Sequence, residues 1–214
     1  VVGGHTITSK EPAYGMAVIG FVDPAKMFLN TAARAGDAIL LTKPIGVGVI
    51  TTALKNGRAA APAVAAALDS MKRLNRDAAR VLAAHGVRGC TDVTGFSLLG
   101  HGLELASKSA VGVRLRAAAV PLVEGAAAAA RDGMFPGGTG RNADAFEKHV
   151  RFAPGVTESL RGLLFSPETS GGLLAAVAPD RAEACLAALR SAGVGQPSWA
   201  ARTAPSSRAP SSST

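Results

Sequence analysis

Alternating and periodic apolar positions lay out most of the chain. Tyr14 to Val22 (YGMAVIGFV) and Asp37 to Thr42 (DAILLT) are short, apolar and bounded by turn residues such as Pro24 and Gly36, which predicts two strands. Val47 to Lys55 and Pro62 to His85 carry helical spacing. In the second, Val64, Leu68, Met71, Leu74, Ala78 and Leu82 recur as a core-facing stripe, and Gly86 marks the stop. The pattern then predicts a strand at Arg88 to Val93, a helix at Phe96 to Ser107, a strand at Gly112 to Ala118 and an Ala-rich helix at Leu122 to Arg131. A glycine-rich loop at Phe135 to Asn142 precedes a short helix at Ala143 to Val150. Strands at Arg151 to Pro154 and Gly171 to Ala178 and a helix at Asp180 to Ala192 follow. Such a mixture is an α/β or α+β domain.

The two ends read differently. Val1-Val2-Gly3-Gly4 has the look of a buried strand entering a glycine turn, so a further N-terminal portion is expected before it. Gln196 to Thr214 is rich in Ser, Pro, Ala and Thr and holds no Leu, Ile or Val, the composition of a disordered tail that buries no core. The chain is therefore divided into a remnant of an N-terminal sheet domain (1–43), a C-terminal α/β domain (44–195) and a disordered Ser/Pro-rich tail (196–214). Strands deprived of their neighbours would expose Val18, Ile19, Ile39 and Leu41.

Composition narrows the function classes. With 214 residues, 48% hydrophobic and 18% charged, the chain is globular rather than collagenous or wholly disordered. No run approaches the ~18 apolar residues of a membrane span, so no membrane partner is expected. Lys and Arg outnumber Asp and Glu by 23 to 15, but the basic residues are scattered and not interleaved with aromatic platforms. Nucleic acid is not expected as a partner either. Cys90 and Cys185 lie far apart without zinc-finger spacing, and no apolar leader opens the chain, which points to the cytoplasm.

Candidate chemistry gathers in five clusters rich in Gly, Thr and Asp: 3–6, 42–48, 91–95, 136–142 and 167–172. Neither the phosphate-loop sequence nor G-x-G-x-x-G after a strand occurs. Asp92 ends a strand just before a glycine and a helix, where a carboxylate either holds a hard cation such as Mg²⁺ or caps the helix near Phe96. Both readings stand on the residues alone. Gly3, Gly4 and Thr6 suit either backbone approach to phosphate oxygens or simple turn chemistry, and His5 is more ordinary as a packed or surface histidine. Lys43 either points at a phosphate or ends its strand in solvent, the latter being commoner; Arg141 either clamps an anion or is exposed. Cys90 reads as a buried, inert thiol.

Taken in order, these clusters resemble the selenophosphate synthetases (selenide, water dikinases) of the aminoimidazole ribonucleotide synthetase-like superfamily. The resemblance is carried by GGHT at 3–6, LLTKPIGVGVITTALK at 40–55, TDVTGFSLLGHGLELA at 91–106, PGGTGRN at 136–142 and SPETSGGLL at 166–174, and runs to about Gly193. It implies the C-terminal domain of that fold with a remnant of the N-terminal sheet domain. It further implies a homodimeric enzyme using ATP, selenide and Mg²⁺ to make selenophosphate, AMP and phosphate. In that resemblance Gly3, Gly4, His5 and Thr6 belong to a segment contacting ATP, and Asp92 is a magnesium-binding aspartate. Thr8 stands where family members tend to have Asp, and the family's nucleophile loop and other metal-binding aspartates would precede Val1. No residue is assigned as catalytic, and the chain alone is expected to be inactive. Two other readings are a different ATP-dependent member, such as a thiamine-monophosphate kinase or hydrogenase-maturation protein, and a noncatalytic binding or dimerisation module.

Overall fold

The computed structural model describes residues 2–195 and 197–205. Five strands, β1 (Ala38–Leu41), β2 (Gly89–Asp92), β3 (Val111–Leu115), β4 (Leu173–Val177) and β5 (Ser198–Pro205), form one sheet in the order β2-β4-β1-β5-β3. All the strand pairs are antiparallel. Among the described residues eight α-helices surround it: α1 (Val47–Lys55), α2 (Ala61–Lys72), α3 (Arg76–Ala84), α4 (Ser97–Lys108), α5 (Ala126–Arg131), α6 (Gly137–Phe146), α7 (Glu158–Phe165) and α8 (Ala182–Ser191). None of the helices among the described residues is long and apolar enough to cross a membrane.

Alternation along β1 assigns the sheet's two faces. Ile39 and Leu41 join Leu98 and Leu105 of α4, Leu164 of α7 and Leu174 of β4 on one side. Leu40 joins Leu82 of α3 and Cys185, Leu186 and Leu189 of α8 on the other. A strand buried on both faces reads as a continuous apolar run, which is why DAILLT is so legible. A third cluster packs α1, α2, α5 and α7 around Val49, Ile50 and Leu163, beside the sheet.

Several expectations need correction. Ile39 and Leu41 are fully buried, not exposed, because β1 is the central strand between β4 and β5. It thus belongs to the same sheet as β4, and the division at residue 43 does not separate it from that domain. Tyr14 to Val22 forms no strand: no described strand pairs with it, and Val18 and Ile19 are exposed as expected. An alternating apolar run needs a partner edge before it becomes sheet. Within the expected tail, 198–205 is strand β5, because its small and threonine residues, Ala200, Ala201 and Thr203, slot between β1 and β3 where no large side chain is needed. The rest of that expected tail, Gln196 and 206–214, lies outside the described residues.

The helix expected over Pro62 to His85 is two helices, with Arg73 in an extended conformation between them. The glycine-rich stretch expected as a loop is the start of α6, and Arg151 to Pro154 is not a strand. Both helical differences trace to distant side chains that meet these segments in the folded chain. Leu40 has no exposed surface at the centre of β1, so Leu40→Ala should lower unfolding free energy by about 2–5 kcal/mol. Leu74→Ala, at an exposed leucine, should change it by no more than about 0.5 kcal/mol, both read by urea denaturation.

Candidate functional site

Antiparallel pairing brings the end of β1, the end of β2 and the start of β4 to one end of the sheet. Four of the five sequence clusters therefore meet there. Thr42 Oγ1 accepts from Leu173 N–H at 2.8 Å, and Val93 N–H donates to Gly172 O at 2.9 Å. Glu168 N–H donates to Thr94 O at 3.0 Å. The approach is too close for side chains: a methyl group on Gly172 would lie 2.5 Å from Lys43 N, and one on Gly171 would run into Val93 O.

Glu168 is the central group of this junction. Its buried carboxylate accepts from Gly46 N–H at 2.6 Å and from Val47 N–H at 3.0 Å, satisfying donors that the first turn of α1 cannot use internally. Burial pushes its pKa up from the ordinary 4.5 to about 8, even though both N–H donors favour the ionised form. The sequence placed Glu168 in its cluster without assigning it a role. An acid between Pro167 and two hydroxyl residues, directly before an apolar strand, is the signal in the sequence for an inward-turned carboxyl group.

Lys43 takes neither role considered for it. Its side chain is buried, and Nζ donates to Ser70 O at 3.1 Å, Arg73 O at 2.6 Å and Ser170 O at 2.8 Å. All three ammonium donors are thus used on backbone carbonyls. Burial, with Arg73 nearby, lowers its pKa. This clamp captures the C-terminal end of α2, while Asn75 Nδ2 donates to Gly171 O at 2.9 Å, so the break between α2 and α3 is fixed from across the fold. Ser170 itself has φ 53°, a left-handed conformation held by Lys43 and by its own hydroxyl's bond to Met71 O.

The 136–142 cluster reaches the junction through α6. Asn142 Nδ2 donates to Gly95 O and Phe165 O, each at 3.0 Å, and tethers α6 to the loop after Asp92. His101 on α4 is buried with Nε2 3.1 Å from Thr94 Oγ1, fixing the same loop from the other side. The Thr139 and Ser166 hydroxyls are buried here without a partner among the described residues.

Asp92 is exposed at the end of β2, and α4 begins with no side-chain cap, so Asp92 does not act as a helix cap. Arg141 is exposed on α6. Gly3, Gly4, His5 and Thr6 are exposed and make no hydrogen bond among the described residues, so the fifth cluster is not brought to the other four. Cys90 is buried as expected, with its thiol pushed up to about 12 by burial first and by Asp92 second. A cavity of about 680 Å³ lies at the opposite end of the strands, by Asp37, Gly89 and Ala178, and shares no residue with these clusters.

The raised Glu168 pKa means the folded chain binds that proton more tightly than the unfolded chain. Its contribution is fully present below pH 4.5, is lost as pH rises, and levels off above about 8. Glu168→Gln should flatten that decline. It should also lower stability at acid pH by about 1–3 kcal/mol, since an amide nitrogen cannot accept from one of the two N–H groups. Lys43→Met removes the donor from three carbonyls and should cost about 2–4 kcal/mol in urea denaturation.

Comparison with known proteins agrees with this architecture. Residues 34–201 match the family described as AIR synthase related protein, C-terminal domain. A selenide, water dikinase of Burkholderia ambifaria is 46% identical over 193 residues, covering 90% of this chain and 54% of the relative. One of Pelobacter propionicus is 43% identical, covering 91% of this chain and 56% of the relative. The chain thus spans about half the length of the curated relatives it matches. Among solved structures, a thiamine-monophosphate kinase from Stenotrophomonas maltophilia superposes with a TM-score of 0.61 at 17% identity, over 86% of this chain and 52% of that one. The hydrogenase maturation protein HypE in complex with ATP superposes with a TM-score of 0.55 at 20% identity, over 87% of this chain and 47% of that one. These two share the fold. The four-cluster junction is built on that shared architecture, and the chain belongs to the AIR synthase related protein C-terminal domain family.

Proposed function

We propose that this chain supplies the C-terminal half of an enzyme that makes selenophosphate, AMP and phosphate from ATP, selenide and water. The observation that carries the reading is the identity of 43–46% to selenide, water dikinases across about nine-tenths of the chain. The same motifs that bore the resemblance in sequence, TKPIGVG, TDVTG, PGGTGRN and PETSGG, are the ones that fold into one junction. In this reading the whole enzyme is a cytoplasmic homodimer.

Asp92 fits a magnesium ligand chemically. Its carboxylate is exposed and is not consumed in capping α4. Mg²⁺ is commonly held by one or two carboxylates, waters and phosphate oxygens, and when bound it offsets the charge of a migrating phosphoryl group. Gly3, Gly4, His5 and Thr6 would offer N–H and side-chain donors to ATP, and their exposure leaves those donors available. Glu168 and Lys43 do not touch substrate in this reading. They hold the loops from which Asp92 projects.

Among the described residues no three His, Cys, Asp or Glu side chains cluster as metal ligands. The chain spans about half the length of the selenide, water dikinases it matches, and by itself it is proposed to be inactive. Incubated with ATP, Mg²⁺ and selenide, it should release no selenide-dependent AMP; turnover at the rate of a whole selenide, water dikinase would overturn the inactivity. Calorimetry should show Mg²⁺-dependent ATP binding that Asp92→Asn weakens by roughly tenfold or more, and undiminished binding would remove Asp92 from the site.

A further inference from the structure

The sheet face covered by α3 and α8 is only partly covered. Leu40, Cys90 and Ala175 lie under those helices, and the coverage reaches as far as Trp199 of β5. Beyond it, β5 and β3 present a different surface. Arg114 of β3 and Arg202 of β5 are directly opposed across the antiparallel pair, and Arg116, just past the end of β3, lines the same cavity. The register also aligns Arg202 with Ala38 and Trp199 with Leu40, which puts the indole on the arginine side of the sheet.

These residues line one cavity of about 320 Å³, formed by Ala38, Arg114, Arg116, Trp199, Ala201 and Arg202 with Glu183 of α8. Like charges directly opposed across a strand pair destabilise it unless something neutral or negative intervenes. Nothing among the described residues does: none of the three arginines forms an ion pair, Glu183 included. The Arg116 guanidinium makes one hydrogen bond among the described residues, to Trp199 O at 3.0 Å, which leaves most of its donors unused. The Trp199 Nε1–H is buried and also has no acceptor among the described residues. A buried indole N–H ordinarily finds one.

Three guanidinium groups around a small cavity call for an acceptor-only, multiply charged ligand. We propose that this notch between α8 and the β3–β5 edge is a binding site for a phosphate-class oxyanion, either free or as the phosphate tail of a nucleotide. Guanidinium groups match such anions bidentately, and the cavity is at the lower end of ligand-pocket size. The anion would neutralise the Arg114–Arg202 repulsion. Ala38 at the start of β1 borders the notch, whereas Lys43 past the end of β1 belongs to the motif junction, so the two sites are distinct and this proposal stands without the selenophosphate reading.

Trp199 is the only tryptophan, so its fluorescence reports the notch directly. The purified chain should be titrated with inorganic phosphate, pyrophosphate and ATP at constant ionic strength, using chloride as the control. Saturable fluorescence change with an oxyanion, weakened at least tenfold in both Arg114→Gln and Arg202→Gln and unaltered in Arg131→Gln, is the expected result. ATP outcompeting pyrophosphate would identify the nucleotide as source; the reverse order would identify the free anion. Thermal melts provide a second readout, in which phosphate raises the midpoint of the unsubstituted chain and not of the two notch variants. An equal response to chloride, titrations unaffected by the notch substitutions, or single-stranded RNA binding tenfold tighter than pyrophosphate would each overturn the assignment.

Discussion

A carboxyl group sealed inside the protein holds together segments separated by some 120 positions of chain. Glu168 accepts from Gly46 and Val47 N–H across 122 and 121 positions of sequence, satisfying two donors at the start of α1 and fixing where the loop before β4 can run. A buried acid is costly unless its oxygens are used, and the raised pKa is the mark of that cost. Once the loop is placed, Gly171 and Gly172 can lie against Val93 and Lys43, and Lys43 can reach the carbonyls of Ser70, Arg73 and Ser170. Remove the carboxylate and the geometry of three motifs loses its common reference.

The junction is chemically closed inside and open outside. Lys43, Glu168, Asn142 and His101 Nε2 are occupied with backbone or hydroxyl partners and shape the site, whereas the buried Thr139 and Ser166 hydroxyls have none among the described residues. What faces outward is Asp92, with the glycine loop that follows it. In the proposed function, that rigid support would let the exposed carboxylate hold a cation against phosphate oxygens. The β3–β5 edge is built the other way: its arginines are exposed and form no ion pair among the described residues, which is why it carries an inference of its own.

Much of the fold was legible. The bounds expected for the helix at Val47 to Lys55 are those observed, and DAILLT and the strand at Gly171 to Ala178 fall within a residue or two of β1 and β4. Their patterns are strong because both faces of the sheet are covered. Less legible was anything decided by a distant side chain. Lys43 looks like a strand-end lysine in sequence, because nothing local says that three carbonyls will close around it. The same clamp ends α2 in the middle of an unbroken apolar stripe. Gly137, Gly138 and Gly140 argue against helix, yet α6 forms because Asn142 is tethered twice and Pro167 packs against Gly138.

The sequence by itself determined the apolar strands of the core, the helix at Val47 to Lys55 and the set of motifs that carry family resemblance, since periodicity and glycine spacing are local properties. Tertiary structure alone decided that four of the motifs converge while Gly3 to Thr6 stays apart, that Glu168 and Lys43 turn inward, and that 198–205 completes the sheet. Those outcomes depend on which backbone donors and acceptors are left unpaired after packing, and a one-dimensional pattern does not encode that remainder.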